Sequence, residues 1–348
     1  MFDVRPVFNV IGLLVSCLGL TMMFPMALDM SRGNGHAGVF LESALITCLT
    51  GSMMYLATRR EAARGLTLQQ TFLLTSGVWL ALPIFGALPF ALGATDSSFT
   101  DAFFEAMSGL TTTGATVISG LDYLPDGLLL WRSILQWLGG IGIIVVAMVF
   151  LPELRVGGMQ IFKSEGFDTF GKILPRATEI AAQVAWLYVG LTGACAVIYI
   201  ATGMRSFDAV LHAMTTIATG GFSTYDSSFV KFGASTEYAA VVFMCLAALP
   251  FVRYVQLING APGSLFHDSQ VRVFFIVLLV TVGFLTLVLW QGYQFSGELG
   301  FRKALFNVVS ITTGTGYASA DYSTWGPVAL VVFFYAGLVG GCAGSTSC

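Results

Sequence analysis

Charge is what this sequence has least of. Asp, Glu, Lys and Arg make up 10% of its 348 residues, against about 25% in an ordinary soluble domain. So little charge cannot cover the surface of a soluble enzyme. The balance is near neutral, 16 basic against 19 acidic residues, so nothing attracts nucleic acid or another polyanion. Histidine is rare, with 3 residues. The six cysteines, Cys17, Cys48, Cys195, Cys245, Cys342 and Cys348, show no CxxC spacing, and five lie in or beside apolar runs. They read as helix-packing residues rather than a disulfide framework or a metal site. There is no Walker A, no HExxH and no Ser/His or paired-Asp arrangement, and no soluble sensory domain, so an enzyme and a receptor are both unsupported.

What the sequence has is apolar surface and glycine: 56% hydrophobic residues, 29 Phe and 40 Gly. That composition excludes a disordered chain and a collagen, and it describes a polytopic membrane protein with interrupted or closely packed helices. A bilayer core takes about 20 apolar residues to cross as a helix. Eight runs meet that length: 9–28, 38–58, 70–94, 129–151, 180–204, 237–252, 273–295 and 326–343. The first follows Arg5 but has no small-residue cleavage site, and reads as a retained helix.

Lys and Arg set the orientation. With the N-terminus in the cytoplasm, Arg5, Arg59, Arg60, Arg64, Arg155, Lys163, Lys172, Arg176, Arg253 and Arg272 fall inside. Arg32, Arg132, Arg205, Lys231, Arg302 and Lys303 fall outside, along with most acids, Asp29, Glu105, Asp208, Glu237 and Glu298 among them. An acidic outer vestibule concentrates cations at a pore mouth, although acids are also simply tolerated outside.

Three segments between the spans align without gaps: 102–116, 209–223 and 304–318. In each, a polar residue (Glu105, His212, Asn307) stands nine residues before a glycine (Gly114, Gly221, Gly316). Each pairs a short apolar segment with a Thr/Gly run, between an outward and an inward span. A ten-residue helix cannot cross a membrane, so the unit reads as span, re-entrant short helix, Thr/Gly loop, span. Asp101 and Asp208 stand where a carboxylate caps a helix start, while Lys303 breaks that pattern. The helix C-termini then point at the membrane centre and favour a cation there. Non-helical backbone survives at that depth only inside protein or beside water. Thr suits an extended return and Gly lets carbonyls turn toward an axis, where they replace the hydration shell of an ion. For a single copy, small-residue helix packing would explain as much. Glu105 reads as a filter-supporting residue or an ion contact, and His212 as support or a pH sensor. His36 and His267 have no visible partner. Arg253 and Arg272 read as inner-leaflet anchors. Gly139, Gly140 and Gly142 read as close-packing or pore-lining positions.

These residues carry a family likeness. The chain resembles the Trk/Ktr/HKT superfamily of cation transporters, and within it the TrkH branch. The carriers are Thr111-Thr112-Thr113-Gly114-Ala115-Thr116, Thr219-Gly220-Gly221-Phe222-Ser223-Thr224 and Thr313-Gly314-Thr315-Gly316-Tyr317. Gln136-Trp137-Leu138-Gly139-Gly140-Ile141-Gly142 resembles the start of the family's first post-filter helix. The resemblance implies an all-α polytopic fold of span–pore helix–span repeats with re-entrant pore loops. Its divisions are 1–66, a leading helix pair; 67–160, 161–262 and 263–348, pore repeats 1 to 3, the third incomplete; and a fourth repeat absent. It implies a selectivity filter of Thr112, Thr113, Gly114, Ala115, Thr219, Gly220, Gly221, Phe222, Gly314, Thr315, Gly316 and Tyr317, supported by Glu105, His212 and Asn307. Gly in every filter goes with K⁺ in that superfamily, and Ser in the first with Na⁺. It further implies a gate loop of Gly340, Gly341, Cys342, Ala343, Gly344, Ser345 and Thr346, and four glycines in eight residues (Gly337, Gly340, Gly341, Gly344) independently predict an unwound segment there. The remaining implications are K⁺ uptake with Na⁺ or H⁺ as further candidate ions, no cofactor, a homodimer in lipid, a cytoplasmic nucleotide-binding TrkA-like subunit, and a bacterial inner membrane. The alternative expectation is a non-conducting, C-terminally truncated fragment of such a subunit.

Overall fold

The computed structural model describes residues 3–59, 66–154, 177–261, 263–292, 295 and 297–347. The basic residues Arg60, Arg64, Arg155, Lys163, Lys172 and Arg176, and Cys348, lie outside them. Among the described residues the chain is helical, without strands. The helices are α1 (Arg5–Thr21), α2 (Met23–Arg32), α3 (Ala37–Thr58), α4 (Leu68–Gly86), α5 (Leu88–Ala91), α6 (Phe99–Leu110) and α7 (Asp126–Leu154). They continue as α8 (Ala177–Ala201), α9 (Ser206–Ile217), α10 (Ala234–Ala247), α11 (Phe251–Ile258), α12 (Gly263–Phe266), α13 (Ser269–Gln291), α14 (Gly297–Thr312) and α15 (Pro327–Val339).

Among the described residues, five stretches are long and apolar enough to cross a membrane: Arg5–Arg32, Ala37–Thr58, Gln69–Ala91, Ile180–Ala201 and Ser269–Gln291. Proline explains where the others depart from the eight expected runs, and where two of these five break. Pro25 has no N–H for the carbonyl of Thr21, and α1 gives way to α2 there. Pro89 likewise leaves Phe85 without its donor between α4 and α5. The run 237–252 is not one straight span. Pro250 is extended (φ −62°, ψ 119°), and α10 and α11 meet at 86° across it. The run 326–343 is shorter than expected: α15 has 13 residues, about 20 Å at 1.5 Å each, short of a ~30 Å hydrocarbon core. It stops at Gly340 (φ +69°), as the glycine run predicted. The run 129–151 lies within α7.

The chain forms two compact units, Met1–Leu110 with Ala115–Leu135, and Thr111–Gly114 with Gln136–Cys348. In the first, α1 packs on α3 and α4, burying Val7, Ile11, Val15, Phe40 and Ala44. Asp29 is fully buried rather than a vestibule acid. Its Oδ1 accepts from Gly127 N–H at 2.8 Å, near the start of α7, and from Asn34 at 2.7 Å. His36 does have partners: Nε2 accepts from Ala94 N–H at 3.0 Å, and Nδ1 lies 3.6 Å from Asp29 Oδ2. In the second unit, Tyr188, Tyr199, Phe229, Phe251 and Phe306 are fully buried in a core shared by α8 to α14. Arg253 is no free lipid anchor; its Nε donates to Asp268 at 2.6 Å and Nη1 to Gln256 at 3.0 Å. His267 Nδ1 donates within its own turn to Gly263 O.

Candidate functional site

The three aligned segments adopt one conformation. Each short helix is longer than the expected ten residues: α6 and α9 have 12 and α14 has 16. All three bury the same positions. Ala102, Ala209 and Ala304 are fully buried, as are Ala106, Ala213 and Val308 four residues on. One side of each helix is therefore apolar and small, which lets the following loop fold back beside it.

The loop then takes left-handed backbone twice, two residues apart. Gly114, Gly221 and Gly316 have φ of +76°, +73° and +81°. The earlier position holds Thr112 (φ +55°), Thr219 (φ +50°) and Gly314 (φ +71°). Thr was expected to suit extended backbone. Instead a β-branched residue is held twice in a region it rarely enters, so the surrounding contacts over-determine the loop.

Those contacts are regular. The polar residue nine before the glycine staples the segment leaving the loop. Glu105 accepts from Thr116 Oγ1 at 2.9 and 3.0 Å and from Val117 N–H at 3.1 Å. His212 Nε2 pairs with Ser223 Oγ at 3.0 Å, its Nδ1 donating to Asp208 O at 2.8 Å. Asn307 Nδ2 donates to Ser319 Oγ at 3.1 Å while Oδ1 accepts from Ser319 N–H at 3.2 Å. All three side chains are fully buried. Three residues further along each helix stands a hydroxyl that sequence reading missed. Ser108 donates to Ala115 O, and Ser310 to Tyr317 O at 2.7 Å. Thr215 instead pairs with the Tyr317 phenol, which also donates to His212 O at 3.2 Å and accepts from Thr216 at 3.4 Å. The shared alignment slot was the available signal, a small hydroxyl at 108, 215 and 310.

Charge is placed differently from the sequence expectation. Arg132 is not exposed. It is buried, with Nε donating to Glu105 Oε1 at 2.9 Å and Nη2 to Thr116 at 3.2 Å. Asp101 and Asp208 sit in the first turns of α6 and α9 but do not cap backbone N–H groups. Ser98 Oγ accepts from Asp101 N–H at 3.2 Å and donates to the Asp101 carboxylate at 2.7 Å. Asp208 accepts from Arg205, Thr224 and Tyr225 at 3.0, 2.9 and 2.8 Å. Burial pushes its carboxyl up, but those three donors outweigh burial and hold it below the usual carboxylate range. Lys303 occupies the same slot in the third copy. Its acid comes from another helix, Glu237 of α10, at 2.7 Å, and its Nζ also donates to Ser319 O at 2.8 Å. Arg302 bridges Glu237 and Glu298, each at 2.8 Å.

Within the second unit the three loops adjoin. A Cβ on Gly114 would run into the carbonyl oxygen of Gly220, and one on Gly221 into that of Thr315. The second and third loops therefore each turn a carbonyl toward the left-handed glycine of the loop before it. Gly314 and Gly316 have no such neighbour within 4 Å. Among the described residues, no hydrogen bond reaches the carbonyls of Thr113, Gly114, Gly221, Thr315 or Gly316. Backbone acceptor oxygens left without donors are the kind of group that can coordinate a cation. The carbonyls of Ala115 and Tyr317, also expected in the filter, each accept from a helix hydroxyl, Ser108 and Ser310.

The glycine-rich loop after α15 docks on the α10–α11 break. Cys342 N–H donates to Ala248 O at 3.0 Å, Thr346 Oγ1 to Ala247 O at 3.0 Å, and Phe251 N–H to Gly344 O at 3.0 Å. Ala343 N–H reaches Gln270 Oε1 at 3.3 Å. Gly341 packs against Ala248 and Ser347, and Ser345 is fully buried. Gly140 is a close-packing position, with Ala218 and the Tyr188 hydroxyl against it.

Known proteins are similar to this chain in sequence and fold. The family model TrkH, described as cation transport protein, matches residues 36–348. The chain is 40% identical over 345 residues to the Trk system potassium uptake protein TrkI of Halomonas elongata, covering 98% of this chain and 70% of that protein. It is 37% identical over 348 residues to the Trk system potassium uptake protein TrkH of Escherichia coli, covering 98% and 72%. The crystal structure of the potassium transporter TrkH from Vibrio parahaemolyticus superposes with a TM-score of 0.89 at 33% identity, over 99% of this chain and 72% of that one. Family model, relatives and fold agree, and the chain belongs to the TrkH family of cation transport proteins.

Proposed function

We propose that this chain is the membrane subunit of a potassium uptake system and passes K⁺ through the three adjoining Thr/Gly loops. One observation carries the reading. Gly114 abuts the Gly220 carbonyl and Gly221 abuts that of Thr315, and among the described residues the carbonyls of Thr113, Gly114, Gly221, Thr315 and Gly316 carry no hydrogen bond, while that of Gly220 carries one from Gln136. Backbone carbonyls of that kind can replace the hydration shell of a K⁺-sized ion. Glu105, His212 and Asn307 support the loops from behind and do not touch the ion. The ion moves down its electrochemical gradient, helped by about 2.3 kcal/mol per charge per 100 mV. The segment 340–346 acts as the gate below, seated on the α10–α11 break.

The rest of the reading follows from the same family. Residues 1–66 form a leading pair of helices, and 67–160, 161–262 and 263–348 form three pore repeats. The subunit lies in a bacterial inner membrane with its N-terminus in the cytoplasm, pairs as a homodimer and takes a nucleotide-binding TrkA-like partner. The relatives named here are longer than the region they share with this chain. The test is therefore K⁺-limited growth of a K⁺-uptake-deficient bacterium carrying this chain, or this chain joined to the part of the E. coli relative it does not cover. Growth with either supports a K⁺ pathway. Growth only with the extended form marks the chain alone as non-conducting. Growth with neither, with both proteins present in the membrane, overturns the K⁺ reading.

A further inference from the structure

Gln136 sits one residue before Trp137 on α7, and its side chain is fully buried. Both ends of its amide are used on one loop. Nε2 donates to Gly220 O at 2.6 Å and Oε1 accepts from Phe222 N–H at 3.0 Å. The two bonds bracket Gly221, the left-handed glycine of the second loop. They fix the peptide groups on either side of it, so neither can rotate without breaking a bond in a buried site. The fit is close: a Cβ on Gly220 would overlap the Gln136 amide.

The consequence is an asymmetry. Thr113, Gly220 and Thr315 occupy one slot in the three loops. Among the described residues, the carbonyls of Thr113 and Thr315 receive no hydrogen bond, whereas Gly220 O receives one from a side chain. That carbonyl also faces Gly114 of the neighbouring loop. An oxygen shared with an amide donor offers less of its lone-pair density to an ion, and it cannot lean inward to follow a smaller one. In the size-based account of K⁺ over Na⁺ selectivity, carbonyls must resist such collapse.

We infer that Gln136 is a positioning residue for ion discrimination: its amide holds the Gly220–Phe222 backbone so that the second loop cannot tighten around Na⁺. This rests on the filter reading above and adds a residue outside the three aligned segments. A merely structural Gln136 would change how much protein folds and leave the ratio of the two ions untouched.

The experiment compares K⁺ and Na⁺ flux into proteoliposomes for the chain and its extended form, using whichever supports growth, with Q136L, Q136M and G316S variants. Gln136→Met keeps side-chain length and loses both bonds, which guards against a folding failure in Gln136→Leu. Flux is normalised to the amount of folded protein. The expected result is a fall in the K⁺/Na⁺ ratio of about threefold to tenfold in both Gln136 variants, the range one net hydrogen bond commands. A ratio unchanged in both while G316S lowers it overturns the role of Gln136 and leaves the filter standing. A ratio unchanged in all three overturns the filter reading, and absence of any active form overturns both.

Discussion

Replacing Arg132 by Met would leave Glu105 fully buried and short of its charged partner. The structure sets the size of that effect. Arg132 Nε lies 2.9 Å from Glu105 Oε1, and both side chains are all but inaccessible. Removing one member of such a pair costs about 3–5 kcal/mol. Glu105 keeps two donors, Thr116 Oγ1 and Val117 N–H, so the lower end, about 3 kcal/mol, is expected. A Glu105→Gln, Arg132→Met double variant removes the orphaned charge, and its amide oxygen can still accept from both donors. It should cost about 1 kcal/mol. The coupling is then at least about 2 kcal/mol, roughly 30-fold in the folding equilibrium. The measurement is reversible unfolding in mixed detergent micelles for wild type, both single variants and the double. If the double variant's loss is the sum of the two single losses, so that coupling is below about 0.5 kcal/mol, the pair is not what holds α6 to the segment leaving its loop, and the argument fails.

Two further outcomes follow. Asp208 titrates below its unfolded value, near 3.9, because its three donors outweigh burial. Its contribution to stability is therefore complete above the unfolded value and lost as pH falls through the lower folded one. Unfolding followed from pH 6 down to pH 2 should show that loss in wild type and a flatter profile in Asp208→Asn; identical profiles would refute the assignment. Gly221→Ala should destabilise by about 2 kcal/mol or more, from a φ of +73° and the Thr315 carbonyl in its path. Gly193→Ala, in a helix with nothing within 4 Å, should be neutral or stabilising by up to about 1 kcal/mol in the same assay.

How much was legible depended on whether the signal was local. The three gapless copies carried their own evidence, because polar slot, small-residue face and glycine recur at fixed spacing. The same alignment placed Glu105, His212 and Asn307 at one position, and each staples the segment leaving its loop. What stayed hidden was the partner from elsewhere in the chain. Arg132, read as an outer-side charge, is 27 residues from Glu105. Lys303 breaks the acidic pattern only until Glu237, 66 residues earlier, is seen beside it. Gln136 was visible in its motif, but nothing local to its place within α7 says that its amide reaches residue 220. The Thr residues misled for a different reason. β-Propensity describes a strand packed on its neighbours, whereas Thr112 and Thr219 are held by loops whose backbone turns left-handed at positions two residues apart.

The α10–α11 break and the glycine-rich loop show why two apparent defects belong to one structure. Pro250 strips a helix of its next donor and bends it by 86°, which strands the carbonyls of Ala247 and Ala248 in a buried site. Four glycines stop α15 and leave a loop whose own N–H groups need acceptors. Each alone would cost about 1–3 kcal/mol per unpaired group. Together they cancel: Cys342 and Thr346 donate to the two carbonyls, and Phe251 N–H returns a bond to Gly344 O. The segment proposed as a gate thus has a definite resting place, supplied by the broken helix. Straightening α10 and α11 would cost the loop its acceptors, so the bend at Pro250 and the seating of residues 342–346 form a single two-sided element rather than two independent irregularities.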